Sequence, residues 1–272
     1  MSSAAGQLLL VGCGKMGRAL AQGWLTKGLQ AENLAAIEPH VRTAELARAV
    51  GINAIADVEE LPGGFTPGWV VLAVKPQVLA GVAPNYARFS GRAKFLSIVA
   101  GKPIAVLTKL LGGEAAIVRA MPNTPVAIGR GMSVACPGPG IGTKDRAACY
   151  AMLAAVGDVA WVEDEALMDP VTALSGSGPA YVFLLIEAMA EAGVAAGLPR
   201  ELALTLAKAT VAGAGELAAI SEETAAVLRQ NVTSPGGTTE AALKVLMADD
   251  GLPKLMAEAV AAAAARSREL AG

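Results

Sequence analysis

The 272-residue chain is long for one domain and comfortable for two. A net charge of -2 gives no electrostatic reason to expect nucleic acid or an anionic membrane as partner. Three cysteines, Cys13, Cys136 and Cys149, form no C-x-x-C pair, which argues against a zinc site or disulfide framework and fits a reducing cytoplasm.

The opening MSSAAGQ lacks a basic stretch, and the apolar run behind it is short, so no signal peptide is expected. Leu8 to Val11 read as a buried strand. Gly12-Cys13-Gly14-Lys15-Met16-Gly17 then turns into a helical pattern that continues to about Gly28. This is G-x-G-x-x-G between a strand and a helix, the setting of a dinucleotide fingerprint. Gly12 permits the tight turn, Gly14 lets a pyrophosphate approach the backbone, and Gly17 lets helix and strand pack closely. The helix N-terminus offers unpaired N–H groups and a partial positive charge.

Asn33 to Glu38 reads as a second strand ending in an acid, and Glu38 lies 38 − 17 = 21 residues past the last motif glycine. An acid at about that distance commonly accepts from ribose hydroxyls; the alternative is a solvated strand-end glutamate. A short helix follows over Arg42 to Val50, then a strand near Ile52 to Ile55. Trp69 to Val74 is a continuous apolar run, as a strand covered on both faces should be, and ends in Lys75-Pro76-Gln77. Lys75 is placed either to steady a phosphate or to snorkel at a helix start. Phe95 to Val99 and Ala116 to Ala120 repeat the theme, ending in Ala100-Gly101-Lys102-Pro103 and Met121-Pro122-Asn123-Thr124-Pro125. Met132 to Ala135 and Val159 to Val162 read as closing strands. The alternation predicts an α/β fold: a Rossmann-type doubly wound sheet with crossover connections over residues 1–164.

From about Glu165 strand patterns vanish, and alanine-rich helical stretches continue to Gly272. Pro199 and Pro235 sit at helix starts, Gly197 and Gly251 at stops. Tyr181 to Ile186 is apolar on every side, which belongs in a core or an interface. Residues 165–272 are too few to bury such faces alone, so they are read as an all-helical dimerisation domain. The longest uncharged stretch, Pro170 to Ile186, is interrupted by Ser-Gly-Ser-Gly-Pro, which predicts a poor membrane span.

Two further stretches carry more than folding needs. In Ser175-Gly176-Ser177-Gly178-Pro179-Ala180-Tyr181, two serines precede a helix start although one suffices for a cap. The surplus points to close backbone approach to a ligand. In Asn231-Val232-Thr233-Ser234-Pro235-Gly236-Gly237-Thr238-Thr239, two glycines near a helix start each sacrifice about 1 kcal/mol of helix propensity. Glycine there allows an anion to sit against consecutive N–H groups; the alternative is a plain Ser/Thr cap.

Together these stretches resemble the pyrroline-5-carboxylate reductase family nearly end to end: the glycine motif, A-V-K-P-Q at Ala73 to Gln77, M-P-N-T-P at Met121 to Pro125, S-G-S-G-P-A-Y at 175–181 and T-S-P-G-G-T-T at 233–239. The resemblance implies reduction of the cyclic imine 1-pyrroline-5-carboxylate to L-proline with NADPH or NADH, no metal, and helical domains that interlock into a homodimer, often within a larger ring such as a decamer. It implies that Gly12, Gly14, Lys15, Met16 and Gly17 hold the pyrophosphate. Ala73, Val74, Lys75 and Pro76 would flank the adenine-ribose side, and Met121, Asn123 and Ser175 the nicotinamide. The turn Ser234, Gly236, Gly237 and Thr238 would take the substrate, with the amides of Gly237, Thr238 and Thr239 on its carboxylate. The Thr239 hydroxyl would face the imine nitrogen, and Glu222 would steady the loop. At the second strand end this chain has Glu38-Pro39-His40 where many members carry small polar or basic residues for a 2′-phosphate.

The inventory agrees with imine chemistry. His40 is the one histidine, and an imine that arrives protonated needs no strong protein acid. A β-hydroxy acid dehydrogenase would need a catalytic lysine in the helical region. Lys208 is the candidate, but it lacks a surrounding polar motif. A non-catalytic dinucleotide sensor would leave the T-S-P-G-G-T-T turn without a purpose.

Overall fold

The computed structural model describes residues 6–271. Residues 1–5, part of the stretch read as lacking a leader, and residue 272 lie outside the described residues.

Among the described residues, β1 (Gln7–Val11), β2 (Leu34–Ile37), β3 (Asn53–Ile55), β4 (Pro67–Leu72), β5 (Lys94–Ser97), β6 (Ile117–Pro122), β7 (Gly131–Pro137) and β8 (Gly157–Trp161) build one sheet in the order β3-β2-β1-β4-β5-β6-β7-β8. Strands β1 to β6 are parallel, as their continuous apolar runs require. The expectation of crossovers throughout is corrected at the far edge: β7 runs antiparallel to β6, while β8 is again parallel to β7. The cause is the connection. A 3₁₀ turn, Thr124–Ile128, closes on Gly129 at φ 71°, leaving too little chain for the dozen residues a parallel crossover needs.

Helices α1 (Lys15–Thr26), α2 (Val41–Arg48), α3 (Leu79–Val82), α4 (Ile104–Leu110) and α5 (Thr143–Ala154) cover the sheet. Successive residues of β1 face opposite ways, so Leu8 and Leu10 enter one core with Trp24, Cys149 and Met152, and Leu9 and Val11 the other with Leu79, Tyr86 and Leu107. Each fully buried leucine stabilises by roughly 1.5–3 kcal/mol. Trp24 Nε1 donates to the Met152 carbonyl at 2.9 Å, so the buried indole strands no donor.

Contacts divide the chain into two compact units. One extends to Gly176 and takes the chain back from Ala263; the other is Ser177–Ala262. Composition changes earlier, at about Glu165, because the segment from Glu165 to Gly176 is helical yet belongs to the sheet unit. It comprises a 3₁₀ turn, α6 (Met168–Val171) and a π-helical turn, Thr172–Gly176. Met168 is fully buried in the second core. The Glu165 carboxylate accepts from buried Arg119 at 2.9 Å and from the Ile104 amide at 2.8 Å, closing the N-terminus of α4.

The second unit contains α7 (Gly178–Ala195), α8 (Arg200–Ile220), α9 (Ala225–Asn231), α10 (Thr238–Leu246) and the first part of α11 (Leu252–Ala271). Helices α7 and α8 approach closely through small residues: a Cβ on Gly193 would stand 3.1 Å from that of Ala203. The break expected at Ser-Gly-Ser-Gly-Pro is present as a bend at Ser177, between the π turn and α7. By length and composition alone, Glu165–Ala195 and Arg200–Ile220 are nonetheless long and apolar enough to cross a membrane. Large apolar side chains stay exposed on both helices, Phe183 at 58%, Leu184 at 63% and Ile220 at 72% among them.

Candidate functional site

The glycine motif leaves the C-terminal end of β1 between β2 and β4. The Gly12 amide donates to the Ile37 carbonyl at 2.9 Å, and the Ala73 amide to the Val11 carbonyl at 2.8 Å. A sheet order of 3-2-1-4 makes this the point where connections diverge and a crevice opens. The three glycines differ as the sequence implies. Gly12 has φ +90°, and a Cβ there would stand 2.9 Å from the Ala73 carbonyl oxygen. At Gly17 a Cβ would stand 2.3 Å from the Gly12 carbonyl oxygen, whereas at Gly14 it would meet nothing within 4 Å. Only the middle glycine faces open space, directly before Lys15, the first residue of α1.

Two cavities share this loop. One, of about 580 Å³, is lined by Gly12, Gly14, Glu38, His40, Asp57 and Tyr86, together with Ala73, Val74 and Lys75. The other, of about 660 Å³, is lined by Gly14, Lys15, Met16 and Arg18, by Ala73 to Pro76, and by Ala100 and Met121. A dinucleotide fits this pair: a bare backbone edge at Gly14, helix-end amides, three cations for a pyrophosphate and a chamber on each side.

Glu38 lines the first cavity, but its carboxylate has backbone partners already. Oε2 accepts from the Cys13 amide at 2.9 Å and Oε1 from the His40 amide at 3.1 Å. The residue thus braces the glycine loop as well as facing the cavity. Burial, then the charge of Glu38, pushes the Cys13 thiol up to about 11, so it stays neutral and is no nucleophile at neutral pH. Burial likewise pushes the Tyr86 phenol up to about 12.

Met121, Asn123 and Ser175 come together at the tip of β6. Asn123 Nδ2 donates to Ser175 Oγ at 3.4 Å, and Asn123 Oδ1 accepts from the Met132 amide at 2.8 Å. Part of the glycine surplus in the 175–181 stretch has a packing cause: a Cβ on Gly176 would stand 2.5 Å from Met121 Cε. Ser177 occupies the N-cap of α7 without a side-chain cap bond.

In the second unit the turn Thr233–Gly237 delivers the chain to α10. Gly236 has φ +73°, which favours glycine. One expectation is corrected here. The Gly237 amide donates to the Ser234 carbonyl at 3.0 Å, so it is already committed to the turn. The amides left without an intrahelical acceptor start at Thr238 and Thr239, in the first turn of α10. Beside Glu222, Glu223 accepts from Asn231 Nδ2 at 3.0 Å. The Ser221 hydroxyl accepts from the Glu223 amide at 3.1 Å. A second acid, Glu240, accepts from the Gly236 amide at 2.8 Å. Thr239 is half-buried and Thr238 exposed.

Sequence reasoning missed Glu223, Glu240, Asp57 and Tyr86. The rule that strand ends line the crevice points to Asp57, two residues past β3, and Glu240 stands at the third helical position of α10, where capping carboxylates occur.

The family described as pyrroline-5-carboxylate reductase dimerisation matches residues 165–270, and that described as NADP oxidoreductase coenzyme F420-dependent matches 7–101. Pyrroline-5-carboxylate reductase of Arabidopsis thaliana is 40% identical over 263 residues, 96% of this chain and 94% of the relative. The chain belongs to the pyrroline-5-carboxylate reductase family. The solved pyrroline-5-carboxylate reductase of Coxiella burnetii superposes with a TM-score of 0.91 at 33% identity, covering 98% of this chain and 99% of that one. The Plasmodium falciparum pyrroline carboxylate reductase, solved with NADP bound, has a TM-score of 0.84 at 31% identity and covers 99% of each chain. The chain is therefore an NAD(P)H-dependent oxidoreductase of this family, with a region through which it associates with copies of itself.

Proposed function

We infer that this chain reduces 1-pyrroline-5-carboxylate to L-proline, the last step of proline biosynthesis. The carrying observation is the occurrence, in one family member, of a glycine-loop crevice with a chamber on each side and a separate anion turn at the N-terminus of α10. When bound, NAD(P)H supplies the hydride.

The chain's own residues position and polarise. The α1 N-terminus with Lys15, Arg18 and Lys75 holds the pyrophosphate, while Ala73 to Pro76 flank the adenosine. Met121, which lines the second cavity, flanks the nicotinamide, with the bonded pair Asn123 and Ser175 beside it. The free amides of Thr238 and Thr239 hold the substrate carboxylate, with Gly236 shaping the turn. The Thr239 hydroxyl donates to or accepts from the ring nitrogen as it becomes an amine. The β-hydroxy acid alternative is disfavoured because Lys208, in mid-α8, has no polar motif around it.

Glu38 faces the adenosine chamber and favours NADH over NADPH, because a carboxylate repels a 2′-phosphate. The apolar faces of α7 and α8 pack against a second copy rather than a bilayer, and dimers build a larger ring such as a decamer in the cytoplasm. Net charge -2 supports a protein that binds neither nucleic acid nor membrane.

Mixing the purified protein with NADH or NADPH and the cyclic imine acid is expected to consume the cofactor and release proline. Absence of turnover with both cofactors would overturn the assignment.

A further inference from the structure

The last turns of α11 return to the sheet unit. Three contacts hold them there. Ser267 is 5% exposed, and its hydroxyl donates to Asp169 Oδ1 at 2.6 Å across 98 residues of sequence. Lys102 Nζ donates to the Leu270 carbonyl at 3.0 Å, across 168 residues. Gly101, at φ +69°, leaves room for Leu270, whose Cβ would stand 3.3 Å from a Cβ placed on the glycine. Leu270 O is among the last carbonyls of the helix, which have no partner inside it, and a cation suits that end of the dipole.

Both anchored segments lead to the cofactor crevice. Gly101 and Lys102 directly follow Ala100, which lines the cavity shared with Lys15, Pro76 and Met121. Asp169 lies in α6, which runs into the π turn whose Gly176 packs against Met121, a residue of that same cavity, and whose Ser175 bonds Asn123. None of these anchors touches either cavity itself.

We propose that the end of α11 is a positioning clip. Ser267 and the Leu270 carbonyl, through Asp169 and Lys102, fix the π turn and the loop after β5, and so set where Ala100 and Met121 stand in the crevice. Ser267, Asp169 and Lys102 are positioning residues, not catalytic ones. The proposal rests on the reductase reading for its kinetic consequence, but not for the structural one. The C-terminal end of the chain then helps shape a pocket formed chiefly by its first 176 residues. The clip also gives a reason for a glycine at position 101.

The test uses the full-length protein with Lys102→Met and Ser267→Ala, with Lys102→Arg and Ser267→Thr as the conservative partners. Hydrogen exchange of the cofactor-free protein should accelerate at residues 99–103 in the first variant and 172–176 in the second, with the amides of β1 and β4 unchanged. Misplacing a reacting group by 1 Å can cost about a hundredfold; a loosened but folded clip should lower kcat by about tenfold, with ADP-ribose affinity unchanged. The conservative variants should restore both readouts. Unchanged exchange in both variants overturns the clip. A fall in kcat matched by equal loss of ADP-ribose binding also overturns it, since that is general destabilisation. If the unaltered enzyme fails to reduce the imine acid, the functional reading falls, and the exchange data alone decide the clip.

Discussion

The proposed mechanism concentrates the chemistry in two side chains, Thr239 and Glu38. A hydroxyl is too weak an acid to replace a tuned histidine, so the role proposed for Thr239 is hydrogen bonding and orientation that grow toward the transition state. Thr239→Val keeps the shape and deletes the hydroxyl; kcat should fall by about 10², the usual cost of a preorganised donor in a dry site, with KM changing less. Thr238→Val is the control, since Thr238 is exposed where Thr239 is half-buried. A larger kcat loss in Thr238→Val would shift the register by one. Glu38 presents a subtler case because its two oxygens already accept from Cys13 and His40. Glu38→Ser removes a charge facing the adenosine and also frees the Cys13 amide. It should weaken both cofactors and yet raise the NADPH-to-NADH ratio of kcat/KM, by about tenfold if one carboxylate–phosphate repulsion of roughly 1.4 kcal/mol is relieved. Arg42, in the first turn of α2, is placed to reinforce that shift. A ratio that stays put would leave Glu38 as a brace alone.

Whole elements were legible where one periodicity ruled, and less so where a turn chose between geometries. The runs Leu8 to Val11, Trp69 to Val74 and Phe95 to Val99 announce buried parallel strands because both faces are covered, and the G-x-G-x-x-G that follows the first marks the crevice. The direction of β7 was hidden, since it depends on a 3₁₀ turn ending on Gly129 and not on its own pattern. The same holds at α10: the Gly-Gly-Thr-Thr stretch signalled an anion turn, but the capture of the Gly237 amide by Ser234 could only be seen folded. Likewise the bond from Asn231 to Glu223, beside the expected Glu222, could only be seen folded. The loop before α10 is thus pinned at its start by Glu223 and at its end by Glu240. Glu223→Ala should raise KM for the imine acid by about threefold to tenfold, the equivalent of one exposed charge-assisted hydrogen bond. Glu222→Ala should leave KM within twofold; equal effects of the two changes would remove Glu223 from the role.

A single copy of the chain is an unfinished surface. Val182, Phe183, Leu184 and Leu185 on α7 and Leu202, Leu206, Leu217 and Ile220 on α8 remain exposed, and a helix apolar all round is stable in water only when something covers it. Length and composition alone would also admit a bilayer as the cover. The dimerisation family matched over residues 165–270 names a second copy instead, and the small-residue contact of Gly193 with Ala203 shows how closely these helices pack. Interfaces made from what would otherwise be core leave no stable folded monomer, so stability depends on protomer concentration. Sedimentation at low micromolar concentration should therefore find dimers or multiples of dimers and no folded monomer. Phe183→Asp, which places a charge on a face that the partner must bury, should lower the apparent mass and abolish turnover together, because burying an unpaired carboxylate costs several kcal/mol. A soluble monomer that keeps full activity would sink the idea, and with it the reading of α7 and α8 as an interface. Partition of the unaltered protein into detergent micelles without self-association would instead favour the bilayer.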